Sequence, residues 1–485
     1  MAQGDEQDKR IPLVVMPENR DTTTAKDARL VNCYMEAGAG KGQVNIYKRA
    51  GISLDYNPSG GAATGEGCYN WKGDVYSVFG TVLYKNSSVV GTVDGTGGVY
   101  SFNQALGTPP VLVLGNGVAA YNYDGTTLTQ ITAGTNATGT SCSIAVTTGI
   151  LTVTWASGTI TTGQIITGTG VPFNTIVGTN LTGVGTSGTS TWNALNTLTA
   201  QIEPDGGVAL SKQLVYVIAL KQWTTEVFYD AANPTGSPLA TVQGAKVNYG
   251  CVHSQSVQDI DGKLFWLGNN RNSNPQVLMM DKLSAEVIST KSIDRLLTNI
   301  NTSSLIYSFS FKDSGHQFYV LTLKDPGNIT LAYDVAEKMW SQWTDVNGNY
   351  LPIVACTFDS TGERLWQHES NGNMYIASKD NLNDVGSIIT ADIYTPNFDG
   401  GTSKKKYLNR LFFVGDQVTG SQLQVRVSDD DYQTWTNFRT VDLGIKRPYL
   451  DRCGSFYKRA FHLRHANNTV FRLSAMEHQI ELGTL

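Results

Sequence analysis

Residues 69–93, YNWKGDVYSVFGTVLYKNSSVVGTV, decide the fold. They read as two short strands around Gly80-Thr81, a Gly-X pair suited to a II′ hairpin turn because glycine takes positive φ without steric cost. Val75, Tyr76, Val78 and Phe79 in the first arm, and Val82, Leu83 and Tyr84 in the second, put apolar side chains on both faces of the ribbon. Such a hairpin cannot lie with one side in water; it needs a neighbour on each side.

Looser versions recur. Residues 111–123 turn at Gly115-Asn116-Gly117, residues 214–229 form a third hairpin, and residues 264–280 a fourth with a long polar turn. A fifth spans 318–333 and turns again through 334–340; a sixth spans 353–376 and returns through Asn371-Gly372. Outside one insertion their centres lie roughly 35–55 residues apart, near the ~40–50-residue unit of a propeller blade. Composition agrees: 40% hydrophobic, 10% aromatic and only 16% charged residues, with 50 glycines, favour strands and turns over helices. The fold class is all-β, a propeller-like body of antiparallel hairpins with an inserted β-sandwich and a C-terminal β-sandwich. A chain of 485 residues is too long for a single core.

The reading divides the chain into a docking arm (1–45), a first part of the body (46–133), a Thr/Gly-rich module (134–200), the rest of the body (201–400) and a terminal sandwich (401–485). From Thr126 to Ile202 there is no Asp, Glu, Lys or Arg. Recurrent Ile, Val and Trp nevertheless argue for strands there rather than disorder. Two short helices are expected, one around 24–35 and one opening at Ser292 as its cap. Residues 400–403 read as a linker.

Net charge is −5, so the chain as a whole is no generic nucleic-acid binder. From Gly401 onward 13 Lys+Arg stand against 8 Asp+Glu, a balance of +5 that leaves −10 for everything before it. Lys404, Lys405, Lys406 and Arg410 are the candidate partner or DNA contact, set against the plainer reading of a solvated linker. The six cysteines lie far apart, with no metal-ligand spacing, so neither cofactor nor metal is expected. The polar N-terminus lacks an apolar signal core and nothing approaches a membrane span, so free thiols in a reducing cytosol are expected. No nucleophile elbow or zinc helix motif occurs, and no catalytic residue is assigned.

Ser428-Asp-Asp-Asp-Tyr-Gln-Thr-Trp435 resembles the Asp-box of sialidases and related propellers, with Tyr432 where glycine is expected. In that family the box is a hairpin brace, which implies structural roles for Ser428, Asp430 and Trp435 rather than a sugar site.

The chain also resembles the tail-hub or nozzle proteins of short-tailed bacteriophages, the packaged-DNA stabilisation family. The residues carrying this are Val44-Asn-Ile-Tyr-Lys-Arg-Ala-Gly-Ile52 (Ala50 replacing the usual proline), the 75–85 hairpin, Gly115-Asn-Gly117 with Tyr123-Asp-Gly125, and Pro204-Asp205 ahead of Thr225-Glu-Val-Phe-Tyr229. Leu331-Ala-Tyr-Asp334 with Trp340 and Trp343, then Ser428-Asp-Asp430 with Trp435, complete the series. The resemblance implies a non-enzymatic virion tail protein assembled in the host cytoplasm as a homo-hexameric ring. Implied partners are an adaptor, a tailspike or fibre, a needle or plug protein, and genomic DNA passing without sequence-specific binding. An acidic lumen would let that DNA slide. Two rivals remain open: a receptor- or glycan-binding propeller, and a sialidase-like glycoside hydrolase, which needs an arginine triad with tyrosine and carboxylate in one pocket.

Overall fold

Asp74–Phe79 and Val82–Lys85 pair antiparallel with Phe79 opposite Val82, and Gly80 turns between them at φ +57°. Gly65–Trp71 and Ser88–Thr92 flank them to complete a four-stranded blade. Its two apolar faces each have the neighbour they require. Tyr76, Val78 and Leu83 pack with Leu112, Leu114, Tyr121 and Tyr123, while Val75, Phe79 and Tyr84 pack with Leu365 and Met374.

The structure is a computed structural model describing residues 10–14, 28–38, 44–105, 109–131, 138–145, 150–157, 165–166, 175–176, 200, 202–233, 237–302, 304–325 and 327–483. Five contiguous four-stranded antiparallel meanders make the propeller blades: 65–92, 101–131, 207–241, 258–287 and 306–343. A further sheet follows from Ile353–Phe358, Arg364–His368 and Met374–Ser378, and Gly51–Tyr56 from the start of the chain supplies its fourth strand. Apolar clusters sit between sheets, joining the third blade to the fourth, the fourth to the fifth, and the fifth to the closing sheet. Each fully buried Leu, Val or Phe in them contributes roughly 1.5–3 kcal/mol.

The fifth blade does not stop at its fourth strand. Arg29–Val31 joins Met339–Trp343 in parallel, Ala391–Tyr394 joins Arg29–Val31, and Ala460–His465, Gln422–Ser428 and Arg439–Asp442 follow, giving one nine-stranded sheet. A second sheet packs over its far half. There Arg472–Leu482 lies beside Lys406–Gly415 and also pairs with Arg10–Ile11 and Val44–Lys48. The core between the sheets mixes Ile11, Leu30, Cys33 and Ile46 with Leu411, Phe413, Phe461 and Met476.

Several expectations are corrected. The terminal sandwich is not built from 401–485 alone; the first 48 residues and Ala391–Tyr394 supply strands, because the last 85 residues leave apolar faces that only these strands cover. Residues 400–403 are therefore a turn inside that sandwich, with Gly400 and Gly401 at φ +58° and +67°, and not a domain boundary. Of the helix expected around 24–35, residues 24–27 lie outside the described residues and the remainder forms the strands Arg29–Val31 and Cys33–Ala37, separated by Asn32 at φ +54°; pairing with the fifth blade outweighs local helix propensity. The helix Lys291–Leu297 does form, but its cap is Thr290, whose side chain accepts from the Ile293 amide. The long polar turn of the fourth hairpin is tight, since Lys263–Asn270 and Ser273–Asp281 leave only Arg271-Asn272 between them. Of the Thr/Gly-rich module, Thr138–Ala145 pairs with Ile150–Ser157 and Ile165–Ile166 with Thr175–Ile176; the sandwich expected there otherwise lies outside the described residues.

Candidate functional site

The Asp-box-like turn is a brace. Asp430 accepts from the Gln433 amide at 3.1 Å, the Thr434 amide at 2.9 Å and the Ser428 hydroxyl at 2.8 Å. These donors, led by the Thr434 hydroxyl, hold its carboxyl down to about 2. Tyr432, at the glycine position, takes φ +64°, and Asp431 before it φ +67°. The Tyr432 ring is buried and its hydroxyl donates to the Thr395 carbonyl at 2.7 Å, so burial offsets the backbone strain. Trp435 is half-buried against Tyr394 and His462, with the Arg426 guanidinium 5.3 Å from its ring.

The basic cluster divides. Lys404, Lys405 and Arg410 are exposed, but Lys406 is fully buried, donating to the carbonyls of Thr402, Lys404 and Tyr457 at 2.6, 2.8 and 2.9 Å. Burial pushes its ammonium pKa down. Lys406 is therefore withdrawn as a contact residue, because its charge is used to tie a turn. The fold instead brings other groups to Arg410: Tyr449, Phe412 and Arg447, from strands and turns up to about forty positions away in sequence. Spacing could not have grouped them. Alternation along the strand would set Tyr407 and Phe412 on opposite faces, and it is the bulge between Leu408 and Arg410 that turns Tyr407, Arg410, Phe412 and Val414 to the same side.

A cleft of about 700 Å³ lies where the first strands of four sheets and the start of the fourth blade converge. Tyr69 and Phe102, stacked with centroids 6.0 Å apart, form one wall, and Tyr307, Lys312, Phe358 and Arg364 line others. The short 3-10 turn Ser254–Ser256 crosses its floor. The Gln255 carbonyl accepts from Ser308 and the Ser256 carbonyl from Tyr319, while the Gln255 side-chain oxygen accepts from the Val99 amide and its NH2 donates to the Ile306 carbonyl. The floor is thus bolted to two further blades. Arg364 donates to the Lys312 carbonyl, and Lys312 pairs with Asp261.

A smaller cleft of about 330 Å³ at the junction of the fifth blade with the sandwich holds the grouping a sialidase reading looks for: Arg29, Arg464, Tyr394 and Asp392. Its parts are already engaged with one another. Arg464 forks onto Asp392 at 2.7 and 3.1 Å, and His462 reaches the same carboxylate at 2.7 Å. Although burial works the other way, these donors hold the Asp392 carboxyl below its usual range. Tyr394 lies between the Arg29 guanidinium and the His462 ring, each 3.9 Å from its centroid. Both tyrosine faces are covered and one arginine is neutralised, which leaves no arginine triad among the described residues of this cleft. Among the described residues there is also no group of three or more His, Cys, Asp or Glu able to hold a metal, and no helix long and apolar enough to cross a membrane.

A family model described as Bacteriophage P22 Gp10, beta-propeller, matches residues 11–357, a span reaching from the first sandwich strand through all five blades into the closing sheet. No curated protein matches the sequence. Similar solved structures include the extracellular domain of a putative one-component system from B. thetaiotaomicron, at 10% identity and TM-score 0.37, covering 87% of this chain and 58% of that one. Others are a fungal alcohol oxidase in complex with copper, at 11% identity, TM-score 0.29 and coverage of 94% and 98%, and exo-beta-1,3-galactanase from Phanerochaete chrysosporium, at 9%, 0.21, 96% and 100%. The chain spans little more than half the length of the first of these. With every TM-score below 0.5, none bears on chemistry or partners here.

Proposed function

This chain belongs to the bacteriophage P22 Gp10 beta-propeller family, and from that premise we propose that it is a non-catalytic structural component of a short-tailed phage tail. In this reading copies form a ring that continues the DNA channel below the portal–adaptor complex, retains the packaged genome and anchors tailspikes or fibres. The observation that carries it is the nine-stranded sheet, which makes one propeller blade and half of the terminal sandwich a single hydrogen-bonded plate. A binding module needs only a propeller; a plate welded to a second lobe suits a part that transmits force between neighbours.

The cleft bridged by Ser254–Ser256 adds a constraint. Its floor is crossed by Ser254–Ser256, and a volume of about 700 Å³ is far below what a DNA duplex occupies per turn. A conduit for DNA therefore runs between copies and not through one propeller, and the acidic body is the surface that would face it. Native mass measurement and particle imaging of the purified chain, alone and with the adaptor ring, test the proposal. Closed rings that cap the adaptor are expected; a monomer that ignores the adaptor would refute it. The stacked Tyr69 and Phe102 rings favour one competing reading, a glycan-binding cleft, which a glycan array with the monomeric protein would reveal.

A further inference from the structure

The outer face of the terminal sandwich carries an aromatic and cationic surface that the described residues leave exposed. Lys406–Gly415 turns Tyr407, Arg410, Phe412 and Val414 outward, and Tyr449–Asp451 pairs beside it with Tyr449 opposite Phe412. The Arg410 guanidinium lies 5.1 Å from the Tyr449 ring centroid and that of Arg447 lies 4.3 Å from Phe412. Tyr407 is 46% exposed, Tyr449 44% and Ile445 43%. Among the described residues Lys404, Lys405, Arg410, Lys446 and Arg447 make no ion pair, although neighbouring Arg439, Lys458, Arg459 and Arg472 all do.

Cation–aromatic contacts of this kind strengthen when water is removed from them, so the face gains from being covered. Arg, Tyr and Phe are also the residues that concentrate at the centres of protein interfaces.

We propose that this face docks on the acidic propeller body of a second copy of the same chain, joining copies head to tail. The chain carries its own complement: +5 from residue 401 onward against −10 before it. Because the two surfaces differ, the contact is heterologous, and a heterologous contact closes into a ring when its rotation divides a full turn and runs on as an open filament when it does not. The inference rests on the ring reading above and names the surface that would make it. Nucleic acid is the poorer occupant, since Glu481 stands opposite Tyr407 and Glu477 opposite Phe412 on the adjacent strand. Those carboxylates repel an unbroken row of phosphates, whereas the acidic body also carries lysines and arginines that can meet them.

Sedimentation velocity on the full chain tests this with wild type, Arg410→Glu/Arg447→Glu and, as an uncharged probe, Tyr449→Ser. Wild type should assemble at low salt and loosen as salt rises from about 0.05 to about 0.5 M. The double reversal should weaken self-association ~100-fold while leaving the thermal melt unchanged, because both arginines are exposed. If the double variant melts early, the same loss of assembly is expected from Tyr449→Ser alone. A wild type that stays monomeric overturns the ring reading and this inference together. A variant whose rings persist unchanged overturns the inference and leaves the ring standing. A variant that keeps its rings but no longer binds a labelled DNA duplex, in fluorescence anisotropy, also overturns it and makes nucleic acid the occupant.

Discussion

Replacing Arg49 should loosen the whole molecule, because this one side chain joins three of its parts. It is 3% exposed and sits in the short link between the sandwich strand Val44–Lys48 and the closing strand Gly51–Tyr56. Its Nε donates to Asn32 Oδ1 at 2.9 Å, in the sandwich, and its Nη2 to the Thr344 carbonyl at 3.0 Å, after the fifth blade. Both terminal nitrogens reach Asp384, at 2.5 and 3.2 Å, beside the closing sheet. Removing one partner of a buried ion pair costs about 3–5 kcal/mol, because the other is left desolvated. The Asp384 side chain keeps 15% exposure, so water recovers part of that and about 3 kcal/mol is expected for Arg49→Ala. Urea titration followed by tryptophan fluorescence gives the loss directly. An Arg49→Met/Asp384→Leu double mutant should cost less than the sum of the two single changes, by a coupling of about 2 kcal/mol. Hydrogen exchange should rise together at Asn32, Thr344 and Val385, whose amides lie in or beside this network. A single-mutant cost under about 1 kcal/mol, or additivity within about 0.5 kcal/mol, would refute the reasoning.

Three further outcomes are expected. Tyr432→Gly restores the residue an Asp-box usually has and relieves a left-handed backbone, worth about 1 kcal/mol, but empties a buried ring site worth about 3–5 kcal/mol; net destabilisation of roughly 2–4 kcal/mol by chemical denaturation is expected, and a more stable variant would contradict it. Lys406→Met should destabilise by about 1–3 kcal/mol by stranding three carbonyls, yet leave any DNA retention on a gel unchanged. Glu66, whose Oε2 has no hydrogen-bond partner, has its carboxyl raised to about 7 by burial and then by Asp94. The folded chain thus holds a proton that the unfolded chain releases above its ordinary value near 4.5, so stability falls as pH rises from there to about 7. Relative to wild type, Glu66→Gln should melt higher at pH 8 and no higher at pH 4; equal differences at both would sink this account.

The sequence by itself determined the strand content and the stacking rule. Residues 75–84 carry apolar side chains on successive positions, a strand displays successive residues to opposite faces, and the two faces found two different partners. It also fixed the Asp430 turn, where every donor lies within four residues. Tertiary structure decided what local pattern cannot encode. Whether Arg29–Val31 becomes strand or helix depends on an open edge at Met339–Trp343, more than three hundred residues on. The fate of Lys406 depends on Tyr457 folding back to supply a third carbonyl, which turns a lysine in an apparent surface run into a buried tie. The Arg410, Phe412, Arg447 and Tyr449 face exists only because Tyr449–Asp451 pairs with Lys406–Gly415. Short-range chemistry writes strands and turns, but surfaces and closures are made by edges that meet only after the chain has come round.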